Sequence, residues 1–164
     1  MSIVMSFLSK AKPYLISCGI ALAVGGLSAL VTAGKMNLYE DVKMPPLSPP
    51  SILFPIVCTI LFLLMGISAA WIEKKKKEKL SRVNRALSIY ALSLFVNFFW
   101  SVFFFNLRWF LFSFVWLVLL WVLILLTIRA YHPIDAKAAY LQIPYLLWVS
   151  FAGYLNFGVY LLNR

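Results

Sequence analysis

Charge is scarce in this chain, and negative charge scarcer still: of 164 residues five are Asp or Glu, and one is His. The acids, Glu40, Asp41, Glu73, Glu78 and Asp135, all lie between the apolar stretches or at their ends. No carboxylate pair is therefore available inside those stretches for hydrolytic acid–base chemistry, nor an acid for proton coupling. His132 stands beside Pro133 without partners at metal-ligand spacing, so no metal centre and no cofactor is expected. The two cysteines, Cys18 and Cys58, show no CxxC spacing, which argues against a disulfide framework or a thiolate site.

Apolar residues fill the space that charge leaves. The composition is 63% hydrophobic and 12% charged, whereas a soluble domain is nearer half apolar and a quarter charged. One small core cannot hide that excess, so lipid must serve as solvent. Five apolar stretches, at about 14–34, 52–72, 86–106, 109–129 and 139–162, each approach the roughly 20 helical residues that cross a bilayer. Hydrocarbon offers a backbone no partners, and the alternation of barrel strands is absent, so each stretch must be helical. The fold class is all-α: a polytopic membrane protein, one domain spanning 1–164, with five transmembrane helices in a bundle. No cleavable signal peptide is expected, since the first stretch is too long for an h-region and lacks a small-residue cleavage site.

The net charge of +10 raises the question of nucleic acid, and its distribution answers it. Seven of the fifteen basic residues crowd the second link: Lys74 to Lys77, Lys79, Arg82 and Arg85. With Lys10, Lys12, Arg129 and Lys137 they put eleven Lys/Arg on one face of a five-span bundle, against Lys35, Lys43, Arg108 and Arg164 on the other. The positive-inside bias then holds the N-terminus in the cytoplasm and the Pro-rich 35–51 loop outside. The Lys run is a topology determinant touching anionic headgroups, so the expected partner is membrane lipid and not nucleic acid.

Three spans carry patterns that a plain anchor does not need. The first has Ser17, Ala21, Gly25, Ala29 and Ala33 at spacing four, the small-residue stripe that lets helices approach closely in lipid. In the third, Tyr90, Ser93, Asn97, Trp100 and Phe104 fall within about 80° of one another. An amide facing hydrocarbon would leave donors and an acceptor unpaired, so Asn97 must face protein, water or ligand. A structural interhelical hydrogen bond and a pocket role both satisfy it. The fifth span repeats the arrangement with Tyr145, Trp148, Val149, Ala152, Asn156 and Val159 on one face. Small Ala152, one turn from Trp148, leaves a hollow beside an indole. Tyr90, Tyr140, Trp71 and Trp109 read as interfacial belt residues. Five prolines between Pro45 and Pro55 make the first loop stiff, either a lid over the bundle or a rigid connector.

These pieces, in this order, resemble the TspO/MBR family of translocator proteins (peripheral benzodiazepine receptors) and bacterial tryptophan-rich sensory proteins. The resemblance rests on Gly25-Gly26 in the first span, on "LYEDVKMPPLSPP", on "VNFFWSVFFF" and above all on "IPYLLWVSFAGYLN" at 143–156. It implies a five-helix bundle, commonly a homodimer, with a pocket beneath the first loop for porphyrins, sterols or benzodiazepine-type ligands. Carried over, Trp148 and Ala152 are the fifth-helix wall, with Tyr145, Leu155 and Asn156 nearby. Asn97 and Trp100 match the third-helix positions, and Tyr39, Pro45, Pro49 and Pro50 match the loop.

The departures bear on activity. The loop tryptophan position is Leu47, the second-helix tryptophan is Cys58, a nearby tyrosine is Phe62, and a third-helix glutamine is Ser93. The resemblance attributes light-dependent porphyrin degradation in some bacterial members to a tryptophan pair, of which this chain keeps only Trp148. The reading is thus a receptor or sensor for a flat hydrophobic ligand such as a porphyrin or sterol. Slow porphyrin degradation and small-molecule transport are the alternatives. A sterol-recognition pattern can be read at Leu155, Tyr160 and Arg164. The expected location is the bacterial cell membrane, with an organelle outer membrane as the alternative.

Overall fold

A backbone in hydrocarbon can satisfy its hydrogen bonds only along its own helix, and the described apolar stretches comply. The structure, a computed structural model, describes residues 2–33, 41–50 and 52–164. Lys35, Leu38, Tyr39 and Glu40 lie outside the described residues. The helices are α1 (Ser2–Thr32), α2 (Leu53–Glu73), α3 (Leu80–Ser101), α4 (Phe110–Tyr131), α5 (Ala136–Leu141) and α6 (Ile143–Asn163). They supply five segments long and apolar enough to span a membrane: Ile3–Thr32, Leu53–Glu73, Leu80–Asn106, Phe110–Tyr131 and Ala136–Asn163. No strand occurs among the described residues.

The observed spans differ from the expected ones at points with local causes. α1 begins at Ser2 and runs through Pro13, where the ring removes a single backbone bond. The fifth span is broken at Gln142 into α5 and α6. Asp135 caps α5 by accepting the Lys137 N–H at 3.0 Å. Pro144 then sits in the first turn of α6, where a missing N–H costs nothing. α3 ends in a π-helical turn, Val102–Asn106, closed by the Leu107 N–H on the Val102 carbonyl at 3.0 Å. That turn rotates Phe104 inward to stack on Trp100, with centroids 5.2 Å apart and planes at 15°.

α1 packs chiefly on α2, α3 on α4, and α4 on α6, while α2 barely touches α6. The bundle is therefore a ring with two looser junctions, one between α1 and α3 and one where the fifth span meets α2 chiefly through α5. The α1–α2 seam is backbone against backbone: a Cβ added at Gly66 would stand 2.5 Å from the Cys18 Cα. Ser17 Oγ donates to the Gly66 carbonyl at 2.7 Å across the same seam. At the basic face, Tyr14 Oη accepts from Trp71 Nε1 (2.9 Å) and Lys74 Nζ (2.7 Å), tying both helices to the interface.

One belt assignment changes. Tyr90 is buried against Tyr131, with centroids 6.4 Å apart, and is not an interfacial ring. Trp71 is half-buried in the α1–α2 contact. Tyr140 and Trp109 are exposed. The described part of the first loop is strapped onto α6 and the end of α3, with Val42 and Met44 packed against Phe104, Phe105 and Val159. Tyr154 Oη donates to the Pro46 carbonyl at 2.6 Å, and Asn163 bonds both the N–H and the carbonyl of Lys43 at 2.9 Å. Pro45 lies against Gly158, where a Cβ would come within 2.7 Å of the ring. Arg108 pairs with Asp41 at 2.9 Å.

Candidate functional site

Loose closure of the ring leaves a cavity of about 480 Å³ between the helices. It reaches from the middle of the bundle toward the loop end. α1 contributes its small residues, Gly25, Gly26 and Ala29 among them. At Gly26 an added Cβ would meet nothing within 4 Å. The stripe read from the sequence thus divides its work: Ser17 and Ala21 seat α1 on α2, and the following turns thin the cavity wall.

α2 presents Phe54, Cys58 and Phe62, and α6 presents Tyr145, Trp148 and Ala152. Trp148 meets Phe54 edge-on, with centroids 5.4 Å apart and planes at 63°, and shares the cavity wall with Cys58. Its indole borders the hollow. From α3 come Asn97 and Trp100. Asn97 Nδ2 donates to Tyr145 Oη at 2.5 Å, so the amide both pairs across helices and lines the cavity.

Of the residues singled out from the sequence, Trp148, Ala152, Asn97, Trp100, Tyr145, Cys58 and Phe62 are brought together around this space. Leu155, Asn156, Pro49 and Leu47 are not among its lining residues. Asn156 is wholly buried between helices, its Oδ1 accepting from Trp100 Nε1 at 3.0 Å and its Nδ2 donating to the Phe110 carbonyl at 2.8 Å. Its amide is spent on structure. Leu47 is 84% exposed with φ of 70° at the tip of the loop. Pro49 is half-buried outside the cavity. No described loop residue forms the cavity's roof; Phe54 and Pro55 of the first α2 turn stand there instead. The sterol pattern also fails to form one surface, since Leu155 is buried whereas Arg164 is exposed.

Some wall residues carried no sequence signal. α4 supplies Leu117 and Leu120, but that helix is apolar on every side, so periodicity cannot mark its inner face.

Asn156 supports a direct prediction. Asn156→Leu is expected to lower stability by roughly 1–2 kcal/mol, because a buried indole N–H and a carbonyl lose their partner. Thermal unfolding in detergent, run as a double-mutant cycle with Trp100→Phe, isolates the pair. Strictly additive losses would show that the two side chains do not couple.

A ring of five helices long and apolar enough to span a membrane, around an aromatic-walled, largely apolar hollow, defines a polytopic helical membrane protein with an internal cavity. The TspO/MBR family model matches residues 17–162. The tryptophan-rich protein TspO of Chlorobaculum tepidum is 39% identical over 146 residues, covering 88% of this chain and 92% of its own. Protein CrtK of Rhodobacter capsulatus is 34% identical, with 92% and 90% covered, and the translocator protein of Bos taurus 30% identical, with 94% of each covered. The chain belongs to the TspO/MBR family, and is an integral, multi-pass membrane protein of its sensor and translocator kind.

Proposed function

We propose that this protein is a membrane receptor that binds a flat hydrophobic small molecule, of the porphyrin or sterol class, in the cavity between its helices. The observation that carries this reading is the lining itself. A space of about 480 Å³ falls in the range of about 300–1,000 Å³ typical of small-molecule sites. Its walls are mostly apolar, with Trp148 on one side and the amide–phenol pair Asn97–Tyr145 among its few polar groups. That is the composition of an orienting site for an apolar ligand. The homodimer implied by the family resemblance belongs to the same reading.

Receptor function is favoured over porphyrin degradation because Cys58 shares the cavity wall with Trp148 where the resemblance implies a second tryptophan. Titration of the protein in nanodiscs with protoporphyrin IX, followed by tryptophan quenching in the dark, tests the proposal. Saturable quenching is expected, and Trp148→Ala should weaken it by about ten-fold through loss of the stacking face. Identical curves for wild type and Trp148→Ala would remove the assigned wall.

A further inference from the structure

We propose that the basic face of the bundle holds a binding site for anionic phospholipid headgroups, built from Lys75, Lys77, Lys79, Arg82 and Arg85 at the link between α2 and α3. The site is separate from the cavity and stands whatever ligand the cavity takes. Between residues 73 and 85 the chain carries seven basic and two acidic residues, a net of five positive charges. Few of them are engaged. Lys74 donates to Tyr14 Oη at 2.7 Å and stands 4.3 Å from that ring's centroid, so it serves the α1–α2 contact. Lys76 meets Glu73 at 3.8 Å, an exposed pair too weak to neutralise the patch. Lys79 donates to the Pro133 carbonyl at 3.1 Å, which fixes its position and leaves its charge uncompensated. Among the described residues no acid pairs with Lys75, Lys77, Arg82 or Arg85.

The surroundings decide which anion fits. These cations cluster where one apolar span ends at Glu73 and the next begins at Leu80. Trp71 donates to Tyr14 at 2.9 Å beside them, an indole and a phenol at the depth where such rings meet headgroups. An open recess at the start of α3 is lined by Glu78, Lys79, Leu80, Ser81 and Arg82. Glu78 is the one acid in it, and two cations outweigh it. Leu80 is 55% exposed, so an apolar surface suited to an acyl chain adjoins side chains suited to a phosphate. A lipid matches both halves; a soluble polyanion or a nucleic acid matches only the charged one. Arg82 and Arg85, three apart on α3, share a helix face. Their planar guanidinium groups can each take two phosphate oxygens, and the lysines add positive charge around them.

The experiment reconstitutes the full chain in phosphatidylcholine bilayers and compares spin-labelled phosphatidylglycerol with spin-labelled phosphatidylcholine by electron spin resonance. Phosphatidylglycerol is expected to associate about five-fold more strongly at low salt. Raising NaCl to about 0.5 M should shrink that preference, because exposed charges are screened. Arg82→Gln/Arg85→Gln should cut it to about half or less. This variant keeps nine of the eleven Lys/Arg on that face, so the orientation of the chain is preserved. Lys43→Gln/Arg164→Gln removes two cations from the opposite face and is the matched control, expected to change the preference little. Equal association of the two lipids, or the same loss from both double variants, would overturn the site. Displacement of the labelled phosphatidylglycerol by an equal concentration of single-stranded oligonucleotide would overturn lipid as its occupant.

Discussion

Gly66→Ala should lower the melting temperature sharply, and Gly66→Val more so. The first atom either variant adds is Cβ, which would lie 2.5 Å from the Cys18 Cα, 2.9 Å from its nitrogen and 2.8 Å from its sulfur. Two of those are backbone atoms and cannot swing aside, so the helices must part. Parting stretches the 2.7 Å bond from Ser17 to the Gly66 carbonyl and opens the packed seam around it. Overpacking of this sort costs about 1–3 kcal/mol in well-packed cores. In lipid there is little hydrophobic force to hold a displaced α1, since close contact is what binds helices together. α1 is also the least buried span, with 11% of its most apolar window inside the bundle, so no second contact of similar strength compensates. Gly19→Ala, where an added Cβ meets nothing within 4 Å, is the matched control. It should be neutral or raise stability by up to about 1 kcal/mol through helix propensity. Equal melting temperatures for Gly66→Ala and Gly19→Ala would refute the backbone-contact seam.

Gly26→Phe should abolish ligand binding while leaving the fold intact. Gly26 lines the cavity, and nothing stands within 4 Å of the position its Cβ would take. A side chain there starts in open space, and a phenyl ring turned toward the cavity would occupy the hollow. Stability should stay within about 0.5 kcal/mol of wild type or rise slightly, because glycine is the poorer helix former. Affinity for a ligand that uses the same space should fall by about a hundred-fold, since the ring must be displaced or the ligand excluded. Fluorescence titration beside a thermal melt separates the two effects. A well-folded Gly26→Phe protein that binds porphyrin with undiminished affinity would show that the ligand sits elsewhere. Gly25 makes a poorer site for the experiment, because its Cβ would strike the Phe62 ring at 2.8 Å.

Much of the architecture was legible before any coordinates. Apolar length fixed the number of spans, because a bilayer accepts only segments of a certain length and hydrogen-bonds none of them. The faces holding Asn97 with Trp100, and Tyr145 with Trp148, were legible because polar groups cannot be spread around a helix in hydrocarbon. Their separate fates were not. Asn97 and Asn156 look alike in sequence, each on an inward face near a tryptophan. One lines the cavity while holding Tyr145, and the other is consumed between Trp100 and Phe110. The difference depends on the π-turn at Val102–Asn106 and on the start of α4, neither of which leaves a periodic trace. The loop was similarly opaque. Prolines announce stiffness but not direction, and it is Tyr154, Gly158 and Asn163 that anchor the described part of it to α6.

The sequence by itself determined that this chain lives in lipid as five helices, with one basic face and its mid-span amides, Asn97 and Asn156, turned inward. Solvation decides those things residue by residue, and a side chain's cost in hydrocarbon does not depend on its neighbours' positions. Only the tertiary structure decided where the bundle fails to close and which inward groups find each other. Those outcomes follow from backbone approach at Gly66 and slack between α2 and α6, distances that arise only when all five helices pack at once.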